Sequence, residues 1–398
     1  MTIVHVTMIV MLTHLGVIGA KLLLALFAID FGASPVQVGL TFALFSILPA
    51  IFAISAGRWV DRIGVRAPLL IGCGGAGLAI TVVFFAPGLW ALYPCAALIG
   101  VFFMVYAVAG QSLVGSLGET SDRTRNFSYY ALAVALAGVI GRAGTGASID
   151  LFGHRATALL LALAPLAALA MAWWLRSRTP EALSPSERPP RASVRDLWKI
   201  PALRRALIAA AIVESGNELF ALFIPLYGSS LGLSATFIGM LLATYAAATF
   251  LVRIALPRLV ARFGEEGVLC GALGCAALVG MLLISTAQPW PLLALAAAFG
   301  FSLGCGMPLS MALTYARAPD GRAAEAIGMR QTVNKSIEVT VPVCFGALAG
   351  VAGLAPLAVA LSLVLAVGAG VIARDARRRP SLPGPARAGA RSGSGSHR

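Results

Sequence analysis

Residues 57–66 read GRWVDRIGVR, and the stretch 200 positions later, residues 257–266, reads PRLVARFGEE. Both stretches carry Arg, Val, Arg and Gly at the same four places. The same offset relates further pairs along the chain: Gly32/Gly232, Ser34/Ser234, Gly39/Gly239, Gly100/Gly300, Gly146/Gly346 and Gly153/Gly353. Matches at one constant offset, spread from the start to the end of each half, indicate an internal duplication. The chain is therefore predicted to fold as two similar halves.

The composition places both halves in a membrane. Of the 398 residues, 59% are hydrophobic and only 12% are charged, whereas a soluble domain carries about 25% charged residues. Frequent Gly and Pro inside the apolar runs favour helices over barrel strands. The predicted fold class is an all-α integral membrane protein with 12 transmembrane helices in two pseudo-symmetric six-helix bundles. The runs, each long enough to cross a hydrocarbon core of ~30 Å, lie near 8–30, 36–56, 67–88, 91–114, 127–150, 155–175, 203–228, 235–256, 267–287, 290–315, 327–350 and 355–373.

Basic residues predict the orientation of the chain in the membrane. Arg and Lys concentrate in alternate connections, while the connections between them carry almost none, the turn at 150–155 excepted. The positive-inside rule then places both termini and the middle loop in the cytoplasm of a bacterial cell, with the bundles in its inner membrane. The net charge of +14 is attributed to this topology and to contacts with lipid headgroups, and no nucleic-acid partner is expected.

The division into domains follows from the duplication and from local composition. We predict an N-terminal bundle over residues 1–175, a cytoplasmic linker over 176–202 with a short amphipathic piece around Leu197 and Trp198, and a C-terminal bundle over 203–373. Residues 374–398 form a basic cytoplasmic tail of low complexity that is predicted to be disordered. The first apolar run has no Lys or Arg before it and no clear cleavage site after it, so it is predicted to be a retained helix.

The loop quoted first resembles the signature loop of the major facilitator superfamily, G-x-x-x-D-R-x-G-x-[R/K], at the place where that family carries it. The resemblance implies a cytoplasmic latch between the two halves, formed here by Gly57, Asp61, Arg62, Gly64 and Arg66. The second copy of the loop has Ala where the acid should be, so only the first half is expected to carry the acid-dependent latch. An ordinary basic turn is the alternative interpretation of this loop.

The fifth apolar run contains Gly138, Gly141, Gly144 and Gly146, spaced for close packing of helices. This pattern is similar to the glycine-rich fifth-helix motif of the family's bacterial exporters of drugs and metabolites. Arg142 stands where those exporters carry a proline, while its repeat partner is Pro342. The departure makes Arg142 a candidate functional residue.

Ionisable residues inside membrane helices are candidates for function because their insertion costs ~2.5–3.5 kcal/mol each. By resemblance to the family, the helices that carry them line a central cavity. Glu214 and Glu218 are four residues apart and share one helix face near Asn217, so proton coupling or substrate binding competes with a static ion pair to Lys21 or Arg142. The candidates for substrate binding or proton coupling are His14, Lys21, Arg142, Glu214, Asn217, Glu218, Lys335 and Glu338.

Several of these residues keep two open interpretations. Lys335 and Glu338 are three residues apart and either pair with each other or face the cavity. His14 is either a proton relay or a packed, hydrogen-bonded histidine. Arg253 and Arg330 are expected to reach the cytoplasmic surface. Three cations balance three carboxylates among the candidates, which suits a zwitterionic or polar solute, or else internal pairing.

These observations favour a secondary transporter that moves a small organic solute by alternating access. Proton-coupled export of a drug, a siderophore-like compound or another metabolite is expected, and proton-coupled uptake of an organic anion or zwitterion is the alternative. The sequence contains no GxSxG, HExxH or P-loop motif, so neither enzymatic activity nor a cofactor or metal is predicted. The expected partners are the solute, protons and membrane lipid, and the expected state is a monomer.

Overall fold

The computed structural model describes residues 3–117, 123–174, 194–318 and 323–377, which are almost entirely helical. This confirms the predicted all-helical membrane fold. The helices are α1 (Ile3–Asp30), α2 (Pro35–Ile63), α3 (Arg66–Val82, followed by a 3-10 turn at Val83–Phe85), α4 (Leu89–Ser116), α5 (Arg123–Trp174), α6 (Val194–Trp198), α7 (Pro201–Ser230), α8 (Ala235–Leu283), α9 (Pro289–Gly304), α10 (Gly306–Ala316), α11 (Ala323–Ala352) and α12 (Leu354–Arg377).

Twelve membrane crossings follow from the lengths of these helices. Ten stretches are long and apolar enough to span a membrane, and two of them contain 46 and 49 residues. At 1.5 Å per residue, each of those two is ~70 Å long, about twice the thickness of the hydrocarbon core. The backbone leaves helical geometry inside both, at Gly153 with φ 77° and at Gly264 with φ 71°. Each therefore crosses the membrane twice.

The duplication is visible in the backbone itself. The residues with positive φ among those described are Gly32, Gly64, Gly153, Gly232, Gly264 and Gly353. They form three pairs that are 200 residues apart, so corresponding turns of the two halves have the same geometry. Glycine recurs there because a side chain strongly disfavours positive φ. Ser34 and Ser234 likewise both accept a hydrogen bond from the third backbone N–H of the following helix.

The two halves pack through two crossings that are repeat copies of each other. At the α2/α11 crossing, Gly39 lies against the backbone of Pro342 and Gly346. At the α8/α5 crossing, Gly239 lies against the backbone of Arg142 and Gly146. A side chain on either Gly39 or Gly239 would clash with a backbone carbonyl oxygen, because the helices approach too closely for one. Close approach through glycine is a common way for membrane helices to associate.

Two segments differ from the simplest helical prediction. The tenth crossing is divided into α9 and α10 by a turn at Cys305, where Pro308 lacks the N–H that would bond to the carbonyl of Gly304. Its counterpart in the first half, α4, is continuous. The predicted amphipathic piece of the linker is α6, where Leu197 is fully buried against Leu203 and Leu207.

Candidate functional site

An ion pair between α1 and α7 joins the two halves. Lys21 on α1 donates from Nζ to both carboxylate oxygens of Glu218 on α7, at 3.0 Å each. The side chains are 23% and 11% exposed, respectively. The ammonium group also lies 4.9 Å from the ring centroid of Phe42 and 5.9 Å from that of Phe45. The sequence analysis offered Lys21 or Arg142 as the ionic partner of the α7 carboxylates. In the structure, Lys21 is the partner, and it pairs with Glu218.

A second charged pair lies on α11 and also contacts the other half. Lys335 donates from Nζ to the carboxylate oxygens of Glu338, at 2.6 and 2.8 Å. Glu338 Oε2 additionally accepts a hydrogen bond from the Ser46 hydroxyl on α2, at 3.0 Å. The geometry is that of an internal pair, which leaves little free charge on either residue.

Glu214 differs from the other two carboxylates because it forms no ion pair with any described residue. Asn334 Nδ2 on α11 donates to Glu214 Oε2 at 3.2 Å. The carboxylate lies within electrostatic range of the two ion pairs already described. A carboxylate in this position binds or releases a proton without first breaking an ion pair.

Arg330 lies one helical turn before Asn334 and is also within electrostatic range of Glu214. Its side chain is only 1% exposed, so it does not reach the cytoplasmic surface as the sequence analysis expected. Its Nη2 donates to Ser310 Oγ at 3.3 Å, while its Nε has no hydrogen-bond partner. The expectation was wrong because α10 packs over this part of α11 and closes the route to the surface.

Arg142 occupies the seam between α5 and α8. Its guanidinium donates to the Gly138 carbonyl of its own helix at 3.2 Å, and it forms no ion pair within the described residues. It lies within electrostatic range of Glu218 and of the Tyr245 hydroxyl. That hydroxyl donates a short hydrogen bond to Oδ1 of Asn217 on α7. Polar groups from both halves thus meet at this seam: Arg142 from the first half, and Asn217 and Tyr245 from the second.

The four glycines of the fifth crossing have different surroundings. Gly141 lies against the backbone of Leu15 on α1, and Gly146 lies against that of Ala235 on α8. Gly138 has the Arg142 guanidinium beside it, whereas no atom lies near the position that a side chain on Gly144 would take. Gly141 and Gly146 therefore sit at close helix crossings, and Gly138 leaves room for Arg142.

His14 is packed inside the first half, away from the charged pairs. Its Nδ1 lies 2.9 Å from the Val10 carbonyl oxygen and 3.1 Å from the Tyr106 hydroxyl. The rings of Phe103, Tyr106 and Tyr130 approach its imidazole edge-on, with centroids 5.1 to 5.9 Å away. This geometry favours the packed, hydrogen-bonded interpretation over the relay.

The signature loop is described only in part. Gly64 has φ 79° and ends α2, and Arg66 begins α3 with an exposed side chain. The side-chain surroundings of Gly57, Asp61 and Arg62 lie outside the described part of the chain, as do those of Arg58. The latch therefore stays a prediction.

Sequence analysis missed Tyr245 and Ser46, although the repeat contains a signal for both. Their counterparts at the same offset are Phe45 and Ala246. Polar groups that one copy carries and the other lacks are candidates for the site, and a search of the repeat for such positions finds both residues. Within the described ranges, no three His, Cys, Asp or Glu residues are grouped as metal ligands.

Two duplicated helical bundles with ionisable residues at their seam form the architecture of a secondary transporter. The chain belongs to the Major Facilitator Superfamily, whose family model matches residues 6–342. This confirms the family that the loop between α2 and α3 predicted. The protein is thus a multi-pass membrane transporter of small solutes rather than an enzyme.

Curated relatives and solved structures agree with this assignment. The chain is 26% identical to the class G tetracycline resistance protein of Vibrio anguillarum over 320 residues, which cover 78% of this chain and 80% of that protein. It is 31% identical to the class D tetracycline resistance protein of Salmonella ordonez over 116 residues, which cover 29% of each. The shorter match thus spans less than a third of its relative.

Two solved structures share the fold over almost the whole chain. One is a bacterial homologue of the human lysosomal transporter Spinster in an inward-facing and occupied conformation, with a TM-score of 0.76, 14% identity and coverage of 94% of this chain and 96% of that one. The other is a POT family transporter in complex with a thioalcohol-conjugated peptide, with a TM-score of 0.77, 13% identity and the same coverage. At these identities the similarity concerns the fold alone.

Proposed function

We propose that this protein exports a small organic solute across the bacterial inner membrane in exchange for protons. The observation that carries the proposal is the contrast between the two carboxylates of α7. Glu218 is held by Lys21 through both of its oxygens, whereas Glu214 accepts a hydrogen bond from one neutral amide and forms no ion pair within the described part of the chain. Glu214 is then the group that takes up and releases the proton, and Glu218 is a structural partner.

The tetracycline resistance proteins support export as the direction of transport. The match to the class G protein extends over most of both chains, and the glycines of the fifth crossing resemble those of exporters. A drug-like solute or a secreted metabolite of similar size is the proposed cargo. Proton exchange supplies the driving force, because neither a nucleotide-binding motif nor a cofactor site is predicted.

The same proposal assigns to the structure an orientation in the membrane and a conformational state of the transport cycle. The basic connections put both termini and the linker on the cytoplasmic side. The turns at Gly32 and Gly232 are then periplasmic. The contacts across the halves described above, from Lys21–Glu218 to Gly39–Pro342, lie in the half of the bundle nearer to those turns. We infer that this conformation is closed to the periplasm and receives solute from the cytoplasm.

The test uses full-length protein in proteoliposomes that enclose a pH-sensitive dye, with tetracycline first in a panel of drugs, siderophores and organic acids. An antiporter moves protons opposite to the added solute. Glu214→Gln is expected to abolish this flux, whereas Glu265→Gln, in the connection that begins the ninth crossing, is expected to leave it unchanged. Solute-dependent proton flux that persists in Glu214→Gln would contradict the role of Glu214.

A second candidate function is proton-coupled uptake of a small organic anion or zwitterion. The observation that favours it is Arg142, a guanidinium at the seam without a carboxylate partner among the described residues. The same liposomes separate the two functions, because a symporter moves protons in the direction of the solute. The sign of the pH change inside the liposome is therefore decisive.

A further inference from the structure

The pairing seen in the structure changes the balance of charge inside the membrane. Lys21 is neutralised by Glu218, and Lys335 is neutralised by Glu338. Arg330 lies within electrostatic range of Glu214 but forms no ion pair with it among the described residues. Arg142 and Arg253 remain, and neither forms an ion pair with a described residue. Among these described residues, the cations without an ion pair therefore outnumber the carboxylates without one.

Both remaining guanidinium groups act electrostatically on one hydroxyl. Tyr245 is within electrostatic range of Arg142 and of Arg253. Tyr245, Thr249 and Arg253 follow each other at intervals of four residues and so share one face of α8. Arg142 reaches the same place from α5, in the other half. One guanidinium from each half thus contributes to the electrostatic potential at the Tyr245 hydroxyl.

The Tyr245 ring is held firmly in its position. It packs against Phe220, at a centroid distance of 4.6 Å, and Phe220 in turn stacks on Phe299, at 4.8 Å. Its hydroxyl donates its one hydrogen to Oδ1 of Asn217, which fixes the amide and leaves the Nδ2 group of Asn217 as the donor that can face a ligand. The Arg142 guanidinium has one hydrogen bond, to a carbonyl of its own helix, so most of its donors are available.

We propose that Arg142, together with the Nδ2 group of the Asn217 amide, which Tyr245 orients, binds an anionic group of the transported solute, such as a carboxylate, a sulfonate or an enolate. The guanidinium and the Asn217 amide donate to the anion, and Arg253 adds positive charge at longer range. The proposal rests on the proposed transport function and names the class of its substrate. Guanidinium groups suit this role because they bind planar anions with two parallel hydrogen bonds.

The position of the subsite also gives the anion a role in the conformational cycle. Arg142 belongs to the first half, while Asn217 and Tyr245 belong to the second. An anion held between them bridges the halves at the α5/α8 seam. Solute binding there stabilises the conformation in which the halves are in contact at this level, and an empty site offers no such bridge.

The test measures binding, so that it does not depend on proton coupling. Matched probes are naphthalene-2-carboxylate with naphthalene-2-carboxamide, and naphthalene-2-sulfonate with naphthalene-2-sulfonamide. Each is titrated against the full-length protein in lipid nanodiscs at one ionic strength. The anions are expected to bind more tightly than their neutral partners. Arg142→Gln is expected to weaken anion binding by about 10- to 100-fold, the loss of one charge-assisted pair, and to leave the neutral probes unaffected.

Two further variants are controls that separate a loss of binding from a loss of folding. Tyr245→Phe installs the residue that the first half carries at this position, and it is expected to weaken anion binding about threefold, because it removes the neutral hydrogen bond that orients the Asn217 amide. Arg258→Gln removes an exposed loop cation and is expected to change nothing. Equal binding of anionic and neutral probes by the wild type, the failure of both anions to bind, or unchanged anion binding in Arg142→Gln overturns the proposal.

The outcome is separable from the transport experiment. Anion binding that depends on Arg142, found together with no proton flux, would refute proton coupling and leave the subsite in place. Proton flux driven by neutral solutes, unaffected by Arg142→Gln, would support the transporter and refute the subsite.

Discussion

The two halves have the same backbone but different chemistry. The turns at Gly64 and Gly264 have φ values of 79° and 71°, and the crossings at Gly39 and Gly239 are repeat copies. In contrast, His14 is enclosed by aromatic rings where the second half has Glu214 facing the seam. The comparison shows that the repeat maintains the scaffold, while the ionisable groups have diverged.

The polar bonds that join the halves are made by residues at which the two copies differ. Lys21 and Ser46 are the partners from the first half, and the second half carries Ala221 and Ala246 at their positions. Asp150 likewise has Gly350 as its counterpart. Each of these polar bonds across the seam, among the described residues, thus uses a residue that one copy alone possesses. Replacing such a residue by its counterpart makes the halves more alike and removes the bond, which provides a series of matched substitutions.

Lys21→Ala is expected to have the largest effect. It installs the residue of the second half and leaves Glu218 as a buried carboxylate without a partner. Loss of one member of a buried pair costs about 3–5 kcal/mol. The free energy of unfolding in detergent, measured by titration with SDS, should fall by that amount, and solute transport should be lost with it.

Its control is the double variant Lys21→Ala/Glu218→Ile, in which Glu218 also takes the residue of its counterpart, Ile18. Removing the orphaned charge should recover a large part of the stability, because apolar replacements of buried pairs are often neutral. A double variant no more stable than Lys21→Ala would show that the pair is not the source of the loss.

The shared scaffold could be predicted from the sequence, and the pairing at the seam could not. Hydropathy and the offset of 200 predicted the helices and the turns, since both depend on local residue type. Glu218 pairs with Lys21 instead of Arg142 because of where the side chains lie on two packed helices. The two residues are 197 positions apart in the sequence, so no local pattern predicts the pair. The burial of Arg330 depends on how α10 packs over α11, which no local pattern encodes.

Substitution of the crossing glycines tests whether the scaffold is equally important in both halves. In Gly39→Ala the new methyl group would meet the Pro342 carbonyl, and in Gly239→Ala it would meet that of Arg142. Each should lower the free energy of unfolding by about 1–3 kcal/mol through overpacking. Gly144→Ala is the matched control, because no atom lies within 4 Å of its methyl position. Very different losses for the two crossing variants would mean that the interfaces are not equivalent.

Asp150→Asn tests a bond that only the α5/α8 seam possesses. The Asp150 carboxylate accepts hydrogen bonds from the backbone N–H groups of Ala235, at 3.1 Å, and Thr236, at 2.7 Å, at the start of α8. Asn keeps one oxygen acceptor, so Asp150→Asn loses the charge and one of the two hydrogen bonds, which contribute about 1 kcal/mol or less. The weakened cap should shift the population toward opening at the end where the Gly32 and Gly232 turns lie.

Distances between spin labels placed on those two turns measure this shift. The matched control is Asp196→Asn, in α6, where the carboxylate is exposed and contacts only Lys199. An unchanged distance distribution in Asp150→Asn would mean that the cap does not contribute to closure.

Ser46→Ala is expected to have the smallest effect, although it also removes a bond across the seam. Glu338 loses the hydroxyl donor at 3.0 Å but keeps both hydrogen bonds from Lys335. The carboxylate is not left without a partner, so the loss of unfolding free energy should stay below ~1 kcal/mol. The same SDS titration provides the measurement, with Ser302→Ala as the control, because that hydroxyl bonds only to Ala298 of its own helix. If Ser46→Ala proved as destabilising as Lys21→Ala, the halves would be held chiefly at α2/α11, and the ion pair between α1 and α7 would be secondary.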